Sequence, residues 1–358
     1  MQRSPLVLFA VLGTWSLGLC QSPKHMVVPA HCDPLGGGSH FWLPGGSADL
    51  RQQTIVGASH LTALVGRTLT ALEWRRKPVA EAYAGGQATW TITLSTAANA
   101  PLRCSHVFAA NIGPNPTQVF SGPVTFPASS AAAGAIPAWS PATSVRVVFT
   151  TPFVYLGGPL CIDIVGQPIA GMHTGWWVAD AAFDSVSGSQ VERSTGCGSN
   201  YAQGRWMHVA NRDLVPGGHP EFVIGHTPGS PGLVLFGPAA SQPVPLPLLG
   251  VPAPGCNLGL AGIDTVMPVL FTPMIPPPLA AYGEAWVHLW IPDSPAMFGA
   301  TVATQSFHIA SLTSSNTIEW TVASAFPQLD MASIDGVPAS PDGHLSTAIA
   351  HVLRIEHQ

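Results

Sequence analysis

The segment EAWVHLWIP, residues 284–292, holds the side chains best suited to contact a ligand. Alternation places Trp286, His288 and Trp290 on one face with Glu284, and Ala285, Val287, Leu289 and Ile291 on the other. An indole presents a flat apolar face and one N–H, so a row of them can stack on sugar rings. The same row can instead be covered by a neighbouring part of the chain, because Trp is highly buried on average. The wholly apolar face must be the core side. The stripe therefore points out of its own sheet, towards solvent or the preceding segment. We expect at least one of its two indoles to pack against that segment or a loop. Trp176 and Trp177 are a second candidate pair for ligand binding. Adjacent residues of a strand face opposite ways, so these two cannot share one platform.

Catalytic chemistry is poorly supplied. The Gly-x-Ser-x-Gly turn of a serine hydrolase is absent, as is His-Glu-x-x-His. The 14 histidines are scattered, with no two at i, i+2 or i, i+4, so we expect no metal site. A Gly-x-Gly-x-x-Gly turn and an EF-hand loop are missing too, and no cofactor is expected. Asp180 and Asp184 are the nearest apolar-flanked acids, and a carboxylate pair can cleave glycosides. Within GWWVADAAFD they read better as turn caps, since Asp readily bonds nearby backbone.

The elements that would carry these side chains are strands. In ATWTITLST, Trp90, Ile92 and Leu94 alternate with Thr89, Thr91 and Thr93. SVRVVFT repeats the pattern with Val145, Val147 and Phe149, and LCIDIV with Leu160, Ile162 and Ile164. Turn dipeptides separate the runs: Gly85-Gly86, Gly113-Pro114, Gly122-Pro123 and Gly157-Gly158. EFVIG, GLVLFG, NTIEWTV and AHVLRIEH add strands further on. Pro243, Pro245 and Pro247 mark an edge or an extended connection, because proline cannot donate to a ladder. Convincing helices are few. The pattern predicts an all-β chain of two β-sandwich (jelly-roll or immunoglobulin-like) domains. Their predicted limits are 49–190 and 195–358, after a Gly-rich loop or leader at 21–48.

Composition agrees. Only 9 % of the 358 residues are charged, against roughly 25 % in typical soluble proteins. Hydrophobic residues make up 46 %, which argues against disorder. The formal net charge is −5, and Arg75-Arg76-Lys77 is the longest basic run. Nucleic-acid binding is therefore not expected, nor a polybasic membrane contact.

Residues 1–20 read as a cleaved signal peptide, with Arg3 before the apolar run Leu6–Leu19 and small residues at Gly18 and Cys20. The mature chain has no run long enough for a transmembrane segment. The expected location is secreted, extracellular or at the cell surface, with the periplasm as a variant. Cleavage leaves Cys32, Cys104, Cys161, Cys197 and Cys256, an odd number in a compartment that permits disulfides.

STGCG at 194–198, VPAPGCNLGL at 251–260 and AWVHLWIPDSPAMFGATVATQSF resemble a C-terminal β domain of secreted proteins from planctomycete-type bacteria. There a Gly-Cys-Gly start, a Pro-Gly-Cys-x-Leu motif and an Ile-Pro-Asn strand–turn–strand follow one another. Ile291, Pro292, Pro295, Gly299 and Gln305 match, while Asp293 replaces Asn and Phe298 replaces Leu. TWTITLSTAANA, HVFAANIGPNPTQVFSGPVTF and VVFTTPFVYLGGPLCIDI resemble the N-terminal partner of such proteins. The resemblance implies architecture rather than a reaction. It implies a Cys197–Cys256 disulfide, and Cys104–Cys161 is a weaker second pair resting on their shared segment. The expected function is that of a non-enzymatic structural or binding module, its partner a polysaccharide or a cell-surface protein. Carbohydrate binding through an exposed Trp face is the alternative. A hydrolase with a site built from distant loops comes third, and several histidines converging on one point would favour it.

Overall fold

The computed structural model describes residues 24–46, 48–132, 134–172, 177–197, 206–226, 228–273 and 283–358. Residues 1–20, read above as a signal peptide, and Trp176 lie outside them. The fold is all-β, and among the described residues the helical segments are short turns between strands.

Its sheets form two groups. In the first, a six-stranded antiparallel sheet runs in the order His344–Ser346, Met331–Gly336, Leu50–Val56, Leu160–Pro168, Gly86–Thr96, Thr117–Phe126. A four-stranded sheet runs Lys24–Val28, Leu353–His357, Arg67–Arg75, Ser144–Tyr155. The period-two pattern decides what lies between them. Trp90, Ile92 and Leu94 are fully buried and share one cluster with Val145, Val147, Ile162 and Ile164. Trp74 of one sheet meets Trp90 of the other edge-on at 5.2 Å. The opposite face of Leu160–Pro168 is covered as well, with Cys161 in a second cluster around Phe108 and Ile334. A three-stranded sheet, Gly38–Trp42, Val178–Phe183, Ile349–His351, completes the group.

The second group has a five-stranded sheet in the order Ser189–Ser194, Thr313–Thr321, Thr301–His308, Pro231–Gly237, Thr265–Leu270. Its four-stranded sheet runs Trp206–Val209, Glu221–His226, Gly283–His288, Thr272–Pro273. Phe222, Phe236, Val287 and Trp320 lie between them in a separate cluster. The Pro-rich run pairs sparsely, as Ala239–Pro245 against Asn257–Leu260, and is an edge as expected. Cys197 and Cys256 are bonded across it. In the chain-entropy account a bridge over 59 residues contributes about 4 kcal/mol.

Three expectations need correction. The boundary at 195–358 does not hold for the last strands. Met331–Gly336 pairs with Leu50–Val56, and Leu353–His357 lies between Lys24–Val28 and Arg67–Arg75. The second group is thus inserted between strands of the first. Nor is 21–48 only a leader, since Lys24–Val28 and Gly38–Trp42 are sheet strands. Cys104 and Cys161 are not bonded. The Cys104 thiol donates to the Pro101 carbonyl at 2.9 Å and Cys161 is held by Ser95, so each sulfur has another partner. Burial pushes the Cys104 thiol up to about 12, which leaves it inert.

Two of the three residues of the basic run are internal. Arg75 is 2 % exposed and holds Asp180 at 2.8 Å together with the Cys32 and Asp33 carbonyls. Arg76 donates to the Glu81 carbonyl and lies over the Tyr83 ring. Asp184 accepts from the amides of Val186, Gln328 and Leu329. Asp184 is thus a turn cap, as its context implied, whereas Asp180 lies within the strand Val178–Phe183 and is held by Arg75.

The returning strand should dominate stability. Ile355 is fully buried in it, so Ile355→Ala is expected to cost about 2–5 kcal/mol in denaturant unfolding. Val191→Ala, at a half-exposed position, should stay within about 0.5 kcal/mol.

Candidate functional site

The outer face of Trp206–Val209, Glu221–His226 and Gly283–His288 carries the candidate site. Register fixes who sits beside whom. Trp206 is opposite Gly225, which is opposite Glu284; His208 is opposite Val223, which is opposite Trp286; Glu221 is opposite His288. The inner faces of the same strands bury Met207, Val209, Phe222, Ile224, Ala285 and Val287. The alternation in EAWVHLWIP thus holds, with Ile291 buried and Leu289 partly so.

Trp286 is 47 % exposed and Trp290 56 %. Trp286 meets the first group at one edge, where its ring stands against His344 at 6.1 Å and 75°. One indole thus touches the first group, as expected, yet both leave about half their surface open. The 3–5 kcal/mol typical of deleting a buried aromatic does not apply to Trp286. Sequence reasoning missed Trp206 and His208. The run RWMHVA carries the signal, since Trp206 and His208 alternate with buried Met207 and Val209. A Cβ on Gly225 would meet the Trp206 ring at 2.4 Å, so the indole lies close over that glycine. Trp177 is a correction. It is 1 % exposed within the first core, and its Nε1 donates to the Pro127 carbonyl at 3.2 Å. Its apolar flanks carry it inside, away from any ligand.

Beside the aromatic face a group of titratable side chains joins the two groups of sheets. Glu221 is buried, with only 4 % of its side chain exposed. Its Oε2 accepts from His344 Nδ1, on the strand His344–Ser346 of the first group. His288 Nδ1 lies 3.0 Å from Oε1. His106, also of the first group, stacks parallel on His288 at 5.7 Å. Asp213 accepts from Ser346 Oγ at 3.1 Å, and Arg103 pairs with Asp293 at 3.1 Å. The residue that departs from the resembled motif, Asp293, therefore ties the two groups together.

Burial alone would raise the Glu221 carboxyl. The two histidines outweigh it and hold the group at about 2. Burial opposes a charge on His344, but Glu221, Asp335 and Asp213 raise it to about 9. Asp213 and Asp335 are pushed up to about 6 by burial, moderated by His344. His219 is lowered to about 4, again chiefly by burial.

A cleft of about 700 Å³ opens beside His288, lined by Arg103, His106, His219, Trp290 and Asp293. A smaller recess of about 220 Å³ lies between His106, Glu221, Trp286 and His344. Candidate nucleophiles there are otherwise engaged. Ser105 Oγ accepts from the Val107 amide, and Cys104 donates to Pro101. Among the described residues no three His, Cys, Asp or Glu side chains are gathered to hold a metal ion. No helix among them is long and apolar enough to cross a membrane. Comparison with family models, with curated proteins and with solved structures finds no match.

The junction should make stability depend on pH. His344 is raised in the fold, so its contribution is full below about pH 6.5 and lost as pH rises towards about 9. Its side chain is 44 % exposed, so solvent screening tempers the effect. The melting temperature is expected to fall between about pH 6.5 and 9, and His344→Gln should flatten that fall. An unchanged slope in the variant would place the dependence elsewhere.

Proposed function

We propose that this is an exported, non-enzymatic binding protein that takes a polysaccharide along its open aromatic sheet face. The observation that carries this reading is the half-exposure of Trp286, on the strand face where His208, His288 and Glu284 also lie, and of Trp290, two residues beyond that strand. Sugar rings offer apolar faces for indoles and hydroxyls for polar edges. The face supplies both. Trp286 and Trp290, four residues apart on extended chain, are spaced by about 13 Å, which suits an extended polymer better than a small molecule. Burial raises the Glu284 carboxyl, and a hydrogen bond with Trp286 moderates it. Export rests on the Arg3-to-Cys20 segment and agrees with the disulfide. The resemblance to secreted β proteins of planctomycete-type bacteria points the same way.

A second reading is hydrolysis, and the convergence of His106, His219, His288 and His344 around Glu221 favours it. His288 would act as a general base on water, oriented by Glu221 at 3.0 Å. Binding ranks first because the two half-open indoles offer a ligand platform directly, whereas hydrolysis rests on the Glu221–His288 contact alone.

Retention on a panel of insoluble polysaccharides separates the two readings. The wild type should be retained on at least one polymer, and the Trp286→Ala/Trp290→Ala variant released from it with its melting temperature nearly unchanged. Absence of retention on every polymer would sink the binding reading. Steady release of reducing ends, lost in His288→Ala, would replace it with the hydrolase.

A further inference from the structure

A second large cleft, of about 620 Å³, lies in the first group and shares no residue with the aromatic face. Alternation builds its floor. Leu72, Trp74, Val145, Val147, Leu353 and Ile355 turn into the core. Glu73, Arg146, Arg354 and Glu356 therefore turn the other way, into the cleft. Register puts Glu73 at the centre, opposite Arg354 on one side and Arg146 on the other.

The way these four groups pair leaves some of their capacity idle. Arg354 gives Nε and Nη2 to one oxygen of Glu73, Oε2. Arg146 gives the same two groups to Oε2 of Glu356, at 3.2 and 2.6 Å. Thr70 donates to the other Glu356 oxygen at 3.3 Å. Each guanidinium thus meets its carboxylate through one oxygen rather than two. Nη1 of both arginines and Oε1 of Glu73 are left without a hydrogen bond inside the protein. Glu73 is 4 % exposed and lines the cleft. An acceptor so nearly buried is costly unless water or a ligand hydroxyl donates to it. Trp139 closes one wall. The Arg75 and Arg354 guanidiniums lie over its ring at 4.7 and 5.0 Å, and its Nε1 donates to Asp33 at 2.9 Å. Wall and floor are therefore fixed before a ligand arrives.

The ion pairs decide which ligand fits. The two guanidiniums and two carboxylates cancel, and His25 is the other titratable group of the lining. An ionic ligand would have to displace a partner from an existing pair. A hydroxyl displaces none: it accepts from an idle Nη1–H and donates to the idle Oε1. Neighbouring hydroxyls on a sugar ring do both at once, and the cleft has the size of a small-molecule site. We propose that this cleft binds a neutral mono- or disaccharide, its hydroxyls shared between Glu73 Oε1 and the Nη1 groups of Arg146 and Arg354. The site is separate from the open indoles and does not rest on them. Arg354 and Glu356 belong to the returning strand, so the cleft is complete only when the first group is.

The test is titration calorimetry of the full chain with glucose, galactose, mannose, N-acetylglucosamine, cellobiose and maltose, beside glucuronate and glucosamine as charged probes. At least one neutral sugar is expected to bind, and more tightly than either charged probe. Arg146→Gln should weaken it roughly tenfold, the effect of losing one hydrogen bond to a charged group. Thr125→Tyr, at an exposed lining position, leaves every ion pair in place and should block the cleft and abolish binding. Melting temperatures confirm that both variants are folded. The Trp286→Ala/Trp290→Ala variant should bind the same sugar as the wild type does. Binding lost in that double variant but kept in Arg146→Gln and Thr125→Tyr would assign the sugar to the aromatic face and overturn the cleft. Preference for glucuronate or glucosamine would overturn the neutral ligand. Retention on an insoluble polymer with no heat from any soluble sugar would overturn the cleft and leave the aromatic face standing.

Discussion

The strand Leu353–His357 is the constraint on which the rest depends. It supplies the hydrogen-bonding partner of both Lys24–Val28 and Arg67–Arg75. Without it two rows of backbone groups in the first group of sheets would lack partners, a cost no side chain there could offset. The first group is therefore complete only when the end of the chain has returned, and the inserted group is held at both ends. Asp184 marks the place. It stands where the chain leaves the first group and bonds the amides of Gln328 and Leu329, where it comes back.

Anchoring both ends brings the inserted sheets against the first group, and the site follows from that contact. Glu221 comes under His344, Asp213 under Ser346, and His106 onto His288. A buried carboxylate left alone would be costly. Shared between two histidines it stays charged, and it fixes the end of the strand that carries Trp286 and His288. Trp286 touches His344 along one edge, so the junction orients the aromatic face without covering it.

Local pattern and distant pairing were not equally legible. Alternation told which faces of Gly86–Thr96, Ser144–Tyr155 and Gly283–His288 turn inward, because each strand's burial is a local property. It also held the signal for Trp206 and His208. The insertion was not legible. Arg354 bonds Glu73 across 281 residues, and a run such as AHVLRIEH reads as a strand whichever sheet receives it. The convergence on Glu221 was hidden for the same reason: His344 is 123 residues away, and only the return of the chain brings it near. Trp177 shows the opposite limit. An apolar aromatic flanked by strand residues looks the same to the eye whether it serves a core or a surface.

The most direct measurement is hydrogen exchange of the full chain with and without the polysaccharide that retains it. If the open face is the binding surface, slowed exchange should concentrate at 206–209, 221–226 and 283–290, with Thr265–Leu270 and the Pro-rich edge unchanged. Protection centred on that edge, around Leu248 and Leu249, with none on the aromatic strands, would contradict the account.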